Sequence, residues 1–156
     1  QDLPRLLDAS KWADVVIGSR NIPGGETVGW SPLRKLISRG GSLYARVLLN
    51  LPIYDCTSGF KCFRRRVLEH LDLDALRSNG YAFQVEVNYA CLKAGLRFAE
   101  VPIVFPDRAR GTSKMSSDIV VEAAAMVVRL RLGITRVPLR STAAVASGLS
   151  TPERVA

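Results

Sequence analysis

At 156 residues, 47% hydrophobic and 23% charged, the chain is long enough to bury one core and lies far from the composition of a disordered segment. Its net charge of +8 predicts an anionic partner, and its longest nearly apolar run, Ile119 to Val128, contains Glu122 and falls short of the roughly 20 residues that a membrane-spanning helix needs. Cys56, Cys62 and Cys91 make no CxxC pair and have no histidine cluster near them, which predicts ordinary buried thiols of a reducing compartment.

The chain opens without Met on a short amphipathic helix, residues 3 to 11, that reads as the end of a preceding unit, so a missing N-terminal part is expected. "ADVVIGS" (Ala13 to Ser19) is a compact apolar run of the kind a buried parallel strand uses. The polar turn "RNIPGGETVGW" follows, and then Ser31 and Pro32 supply the cap and first position of a long helix. Gly40 and Gly41 interrupt that helix and predict a kink or a close backbone approach. "DCTSG" reads as a loop entering a short strand, "RRRVLEHL" as a helix, and "FQVEVNYACLKAGL" as a helix ended by Gly95. "RFAEVPIVF" reads as one strand and "SSDIVVEAAAMVVRL" as the last helix, leaving 134–156 as a disordered tail. Alternating strands and helices predict an α/β layered architecture with a largely parallel sheet.

Between that strand and helix lies "DRARGTSKMS", in which Arg108, Arg110 and Lys114 surround Gly111, Thr112 and Ser113. Glycine lets backbone amides approach an anion, the hydroxyls and the lysine add donors, and the following helix N-terminus carries partial positive charge. Arg20 directly follows a buried strand, where open α/β sheets present ligand-binding residues. Arg34 and Ser38, four residues apart, share a helix face, and a phosphate or diphosphate would account for all three cationic sites. Taken singly, Arg20 also fits a surface ion pair and Arg34 a solvated helix face. Asp55 fits either a site acid or a turn residue, with Thr57, Ser58 and Gly59 beside it. Glu86 lies among apolar residues and needs a partner, Gln84 fits a ligand contact or a loop, and His70 has no catalytic setting. A nucleic-acid-binding module would interleave aromatics with the cations for base stacking; the basic loop has none, so nucleic acid is not the expected partner.

The ordered set "ADVVIGSRNIPGG", "RKLISRGGSLYAR", "DCTSGFKCFRR", "NGYAFQVEV" and "AEVPIVFPDRARGTSKMS" resembles the C-terminal half of the polyprenol-phosphate (dolichol-phosphate) mannosyltransferases of glycosyltransferase family 2, from about Ala13 to Leu132. The resemblance implies an incomplete GT-A-like nucleotide-diphospho-sugar transferase fold, with 1–133 as the acceptor-side part of a catalytic domain. It implies inverting transfer of mannose from GDP-mannose to a polyprenyl phosphate. Arg20, Arg34 and Ser38 match the family's acceptor-phosphate positions; Arg108, Gly111, Ser113 and Lys114 match its phosphate loop; Asp55, Arg108 and Lys114 are the expected catalytic residues. The family's Asp-x-Asp metal motif does not occur in this chain, so Mg or Mn is expected on ligands N-terminal to it, and the fragment alone is expected to be inactive. Peripheral attachment to the cytoplasmic face of a membrane is implied, through the last helix and Arg129, Arg131, Arg136 and Arg140, with an anchoring subunit as a further possible partner. A glucosyltransferase, another family 2 enzyme and a non-catalytic lipid-phosphate binder are the alternatives.

Overall fold

The computed structural model describes residues 2–76, 78, 80–107 and 117–140. Strand β1 (Val15–Ser19) is buried along its whole length, and its alternating side chains feed two cores. Val15 and Ile17 join one with Ala45, Leu49, Ile53, Val85 and Val127. Val16 joins the other with Leu6 and Ala9 of helix α1 (Leu3–Ala9).

Two further strands flank β1. Strand β4 (Phe98–Pro102) runs parallel to it, in keeping with the parallel pairing expected, and its register sets Ile17 opposite Glu100. Strand β3 (Lys61–Phe63) is antiparallel, with Ile17 opposite Lys61. The described three-stranded sheet is therefore mixed: the loop after α2 (Pro32–Leu49) brings β3 back antiparallel on one side of β1, while β4 lies parallel on the other.

The run predicted as one strand divides at Ile103. Its N–H donates to the Ser19 carbonyl at 3.0 Å, while its own carbonyl accepts from Glu26 N at 2.9 Å. At that residue the chain changes partners, and β5 (Val104–Pro106) pairs in parallel with β2 (Glu26–Val28), a strand hidden within the expected turn. A Cβ at Gly25 would sit 2.5 Å from the Ser19 carbonyl oxygen, so only glycine lets this turn press against the end of β1.

Helix α2 (Pro32–Leu49) starts as predicted, with the Ser31 hydroxyl accepting from Arg34 N at 3.3 Å, and ends at Asn50 in the left-handed conformation. It runs through Gly40 and Gly41 without a break, and among the described residues nothing lies within 4 Å of either missing Cβ. These glycines leave space instead of admitting a neighbouring backbone. Helices α3 (Arg65–His70) and α4 (Gly80–Lys93) follow, and α5 (Ser117–Arg131) packs on α4 and α2. Within the span expected as a tail, Leu139 bridges to Leu71, Arg140 N donates to the His70 carbonyl, and Val137 and Leu139 pack on the core. Residues 141–156 lie outside the described residues.

At the start of β1, Asp14 is fully buried and accepts from Arg66 and from Arg97 N. Burial pushes its carboxyl up, but these bonds and charges outweigh it and hold the group below the usual carboxylate range. This pair braces the end of the sheet away from Arg20.

Candidate functional site

Arg20 leaves the C-terminal end of β1 and is itself buried. Opposite it, Glu100 of β4 accepts from the backbone N–H groups of Tyr54 (2.8 Å) and Asp55 (2.9 Å), which fixes the loop before β3 and delivers Asp55 to the arginine. The result is a forked, charge-assisted pair: Arg20 Nε to Asp55 Oδ2 and Nη2 to Oδ1, both 2.8 Å, with Arg20 N on Oδ2 at 3.0 Å. Arg20 Nη2 also donates to Thr57 Oγ1 at 2.9 Å. Burial pushes the Asp55 carboxyl up, yet the hydrogen bonds and charge of Arg20, with Thr57, outweigh it and hold the group below its ordinary value. Asp55, expected among the catalytic residues, has no exposed surface, and both its oxygens are engaged. In this structure its carboxylate is committed to Arg20.

The guanidinium of Arg20 lies 5.1 Å from the ring centroid of Trp30 and 5.8 Å from that of Phe105. Arg34 stacks on the same indole at 3.8 Å and pairs with Asp107 at 2.7 Å. Trp30 thus joins the end of β1 to the first turns of α2. A narrow cleft beside it is bordered by Arg20, Asn21, Thr27, Lys35, Ser38 and Arg39. Sequence reasoning placed Arg20, Arg34 and Ser38 together, and the structure does bring them to one place. It missed Trp30, Lys35 and Arg39, although a lone aromatic one residue ahead of the cap of a cationic helix was a usable signal.

Ser38 also opens onto a second feature. Between α2 and α5 runs a groove of about 290 Å³ walled by Ile37, Gly40, Gly41, Tyr44, Val120 and Val127, among others, with Ser38 and Thr57 as its hydroxyl-bearing side chains besides the Tyr44 and Tyr81 phenols. Glycines at 40 and 41 widen it, since any side chain there would project into the gap. The apolar groove and the cationic cleft therefore share Ser38, and Thr57 touches both the groove and Arg20.

A polar relay supports this loop from behind. Lys61 Nζ donates to Asn88 Oδ1 at 2.8 Å and to the Gln84 carbonyl at 3.4 Å, and Asn88 Nδ2 donates to the Cys56 carbonyl at 3.1 Å, next to Asp55. Enclosure lowers the Lys61 pKa to about 8, against the weaker upward pull of Cys91, Cys56 and Asp55. Burial raises the Cys56 and Cys91 thiols to about 12, so both stay protonated and unreactive. Glu86, buried as its setting implied, accepts from Ser78 N at 3.4 Å. The His70 Nδ1 lies 2.7 Å from the Arg66 carbonyl oxygen. Arg108, Gly111, Ser113 and Lys114 lie outside the described residues. Among the described residues, no three His, Cys, Asp or Glu side chains converge as metal ligands, so the described part of this chain does not fit the Mg or Mn that the resemblance implies.

No family model matches the chain. Two curated relatives do. One is the undecaprenyl-phosphate mannosyltransferase of Micrococcus luteus, 49% identical over 129 residues, which are 83% of this chain and 53% of the relative. The other is the polyprenol monophosphomannose synthase of Mycolicibacterium smegmatis, 43% identical over 124 residues, 79% of this chain and 47% of that protein. Over the shared span the chain is a homologue of polyprenyl-phosphate mannosyltransferases. Both relatives' names agree with the resemblance carried by the five motifs, and the shared span takes in about four fifths of the chain. The chain spans about half the length of these relatives.

Proposed function

We propose that this chain is the acceptor-side portion of a polyprenyl-phosphate mannosyltransferase that transfers mannose from GDP-mannose, with inversion, to a polyprenyl phosphate. The observation that carries the reading is the junction at Ser38 and Thr57, where an apolar groove meets buried Arg20 and its cationic cleft. A polyprenyl phosphate has that division, an apolar chain ending in a dianionic head. The phosphate monoester is ionised near neutral pH, its second pKa being about 6, so the nucleophile needs no strong general base. The chemical demand is to bring an anionic nucleophile in line with a donor whose leaving group is also anionic. Cations held in place before the substrate arrives meet that demand. In this reading Arg20, Arg34 and Ser38 hold the acceptor, the loop carrying Arg108 and Lys114 covers the phosphates, and the ligands of Mg or Mn belong to other parts of the protein.

The same helices suggest how the lipid arrives. Leu33, Leu36, Leu43 and Val47 recur at helical spacing on α2 and are all exposed, as are Val121 and Val128 on α5 and Leu132 just after it. Lys35, Arg39 and Arg46 border the α2 stripe, a pattern suited to an anionic lipid surface. Among the described residues no helix is long and apolar enough to cross a membrane. In this reading the protein attaches peripherally, with the groove opening at the bilayer. Flotation with phosphatidylglycerol-rich vesicles should capture the full-length protein at low salt, and Leu36→Glu with Leu43→Glu should release most of it. Equal capture of both would remove α2 from the membrane surface.

The reaction is tested by following radiolabel from GDP-mannose to undecaprenyl phosphate with the full-length protein, in the presence and absence of Mg and Mn. Metal-dependent labelled lipid is expected, and Arg34→Ala should lower kcat/KM by about 10- to 100-fold, the value of one charge-assisted contact. Turnover with UDP-glucose and none with GDP-mannose would reassign the sugar. Silence with both donors would leave a lipid-phosphate binder.

A further inference from the structure

Trp30 is only 6% exposed, yet its indole Nε1–H has no acceptor among the described residues. Buried donors in native proteins are almost always satisfied, so an unsatisfied one beside a cleft calls for an acceptor from outside the described residues. The rest of the setting says what kind. The ring takes the Arg34 guanidinium at 3.8 Å and the Arg20 guanidinium at 5.1 Å, and Phe105 meets it edge-on at 5.9 Å. The residues bordering the cleft are cationic or neutral, none of them acidic. Arg34 Nε is a second buried donor without an acceptor among the described residues. The cleft is narrow, with an enclosed space on the order of one water-sized group.

We propose that Trp30 is itself a ligand of the acceptor anion. Its indole N–H donates to one terminal phosphate oxygen seated between Arg20 and Ser38, while its ring carries both guanidiniums beside the cleft. This rests on the reading that the cleft takes the lipid phosphate. It adds a neutral donor to a set otherwise made of cations and hydroxyls. A neutral donor that is already desolvated binds an oxyanion without bringing water or a counter-charge into the cleft.

Two measurements on the full-length protein test this. With 15N-labelled tryptophan, titration with farnesyl phosphate should move the Trp30 indole proton downfield, while the exposed Trp12 stays fixed. Inorganic phosphate moving the same resonance would also support the donor role and assign it to phosphate rather than to lipid. In transfer assays, Trp30→Phe keeps the stack and removes the N–H; it should raise KM for farnesyl phosphate about 5- to 20-fold with kcat within about twofold. Trp30→Leu removes both and should lower kcat as well. An unmoved indole resonance together with an unchanged KM in Trp30→Phe, while Arg34→Ala raises KM, overturns the role of Trp30 and leaves the cleft assignment standing. An unchanged KM in both variants overturns the cleft assignment and the proposal with it. The resonance is read on the unmodified protein, so the test survives a variant that fails to fold.

Discussion

Asp55→Ala is expected to destabilise the full-length protein by about 3–5 kcal/mol and to remove transfer activity, even though the carboxylate touches no substrate in our reading. The cost comes from what is left behind. Arg20 is buried, its Nε and Nη2 both bond Asp55, and among the described residues only Thr57 would remain as a hydrogen-bond partner of its side chain. A guanidinium in that position must either draw in water or swing out of the cleft, and either response dissolves the geometry at the junction of cleft and groove. Asp55→Asn keeps the shape but not the charge and should fall between the two. The double replacement Asp55→Leu with Arg20→Met should recover much of the stability, because paired removal leaves no orphaned charge, yet stay inactive. Urea unfolding at pH 7 beside the transfer assay separates the effects. A fully active Asp55→Ala protein would sink the role given to the pair. The pair also sets an acid limit. The Asp55 pKa is depressed in the folded state, so its stabilisation is present above the unfolded value near 4 and is lost as pH falls through the folded value.

The parts of this architecture that were legible in the sequence are those written locally. Ser31 and Pro32 announce a helix start, Gly95 a helix end, and the unbroken run before Ser19 a buried strand, because each is decided within one turn of chain. What could not be read depends on partners far away. Glu26–Val28 is too short and too near glycines to show a period, and it becomes a strand only because Val104–Pro106 lies beside it. The break at Ile103 is invisible in an apolar run, since it is made by the Ser19 and Glu26 backbones. The glycine pair at 40 and 41 signalled something unusual, but whether it admits a backbone or leaves a space is settled by what α5 brings opposite. The site shows the same division. Arg20 stood out from its place after a strand, whereas its commitment to Asp55, 35 residues on, requires Glu100 to hold the loop between them.

Lys61 gives the second large effect, and its sign is unusual for a lysine with a hydrogen-bonded partner. The ammonium sits between β3 and α4, where the groups around it are Asn88, the Gln84 carbonyl, the protonated thiols of Cys56 and Cys91 and the more distant Asp55. Enclosure dominates, taking the pKa from an ordinary 10.5 to about 8. Below pH 8 the group is charged in both folded and unfolded chains, and the folded protein carries the cost of enclosing it, roughly 3 kcal/mol at 1.36 kcal/mol per unit. Between pH 8 and 10.5 the unfolded chain holds a proton that the folded one has released, so folding stability rises with pH across that window. Lys61→Met lacks this dependence. The stability of the wild-type protein relative to this variant should therefore increase by about 3 kcal/mol from pH 7.5 to 10.5, read by urea unfolding under reducing conditions; a flat difference would show that the ammonium is hydrated. Transfer should respond in the opposite direction. Loss of the proton weakens the bond to Asn88, which holds the Cys56 carbonyl and with it the loop carrying Asp55, so the alkaline limb of kcat/KM should fall near pH 8 in the wild type and shift in Lys61→Arg. A residue whose protonation stabilises the working loop while costing the fold is one that the mechanism retains against stability, and the two opposed pH profiles are how that balance would be seen.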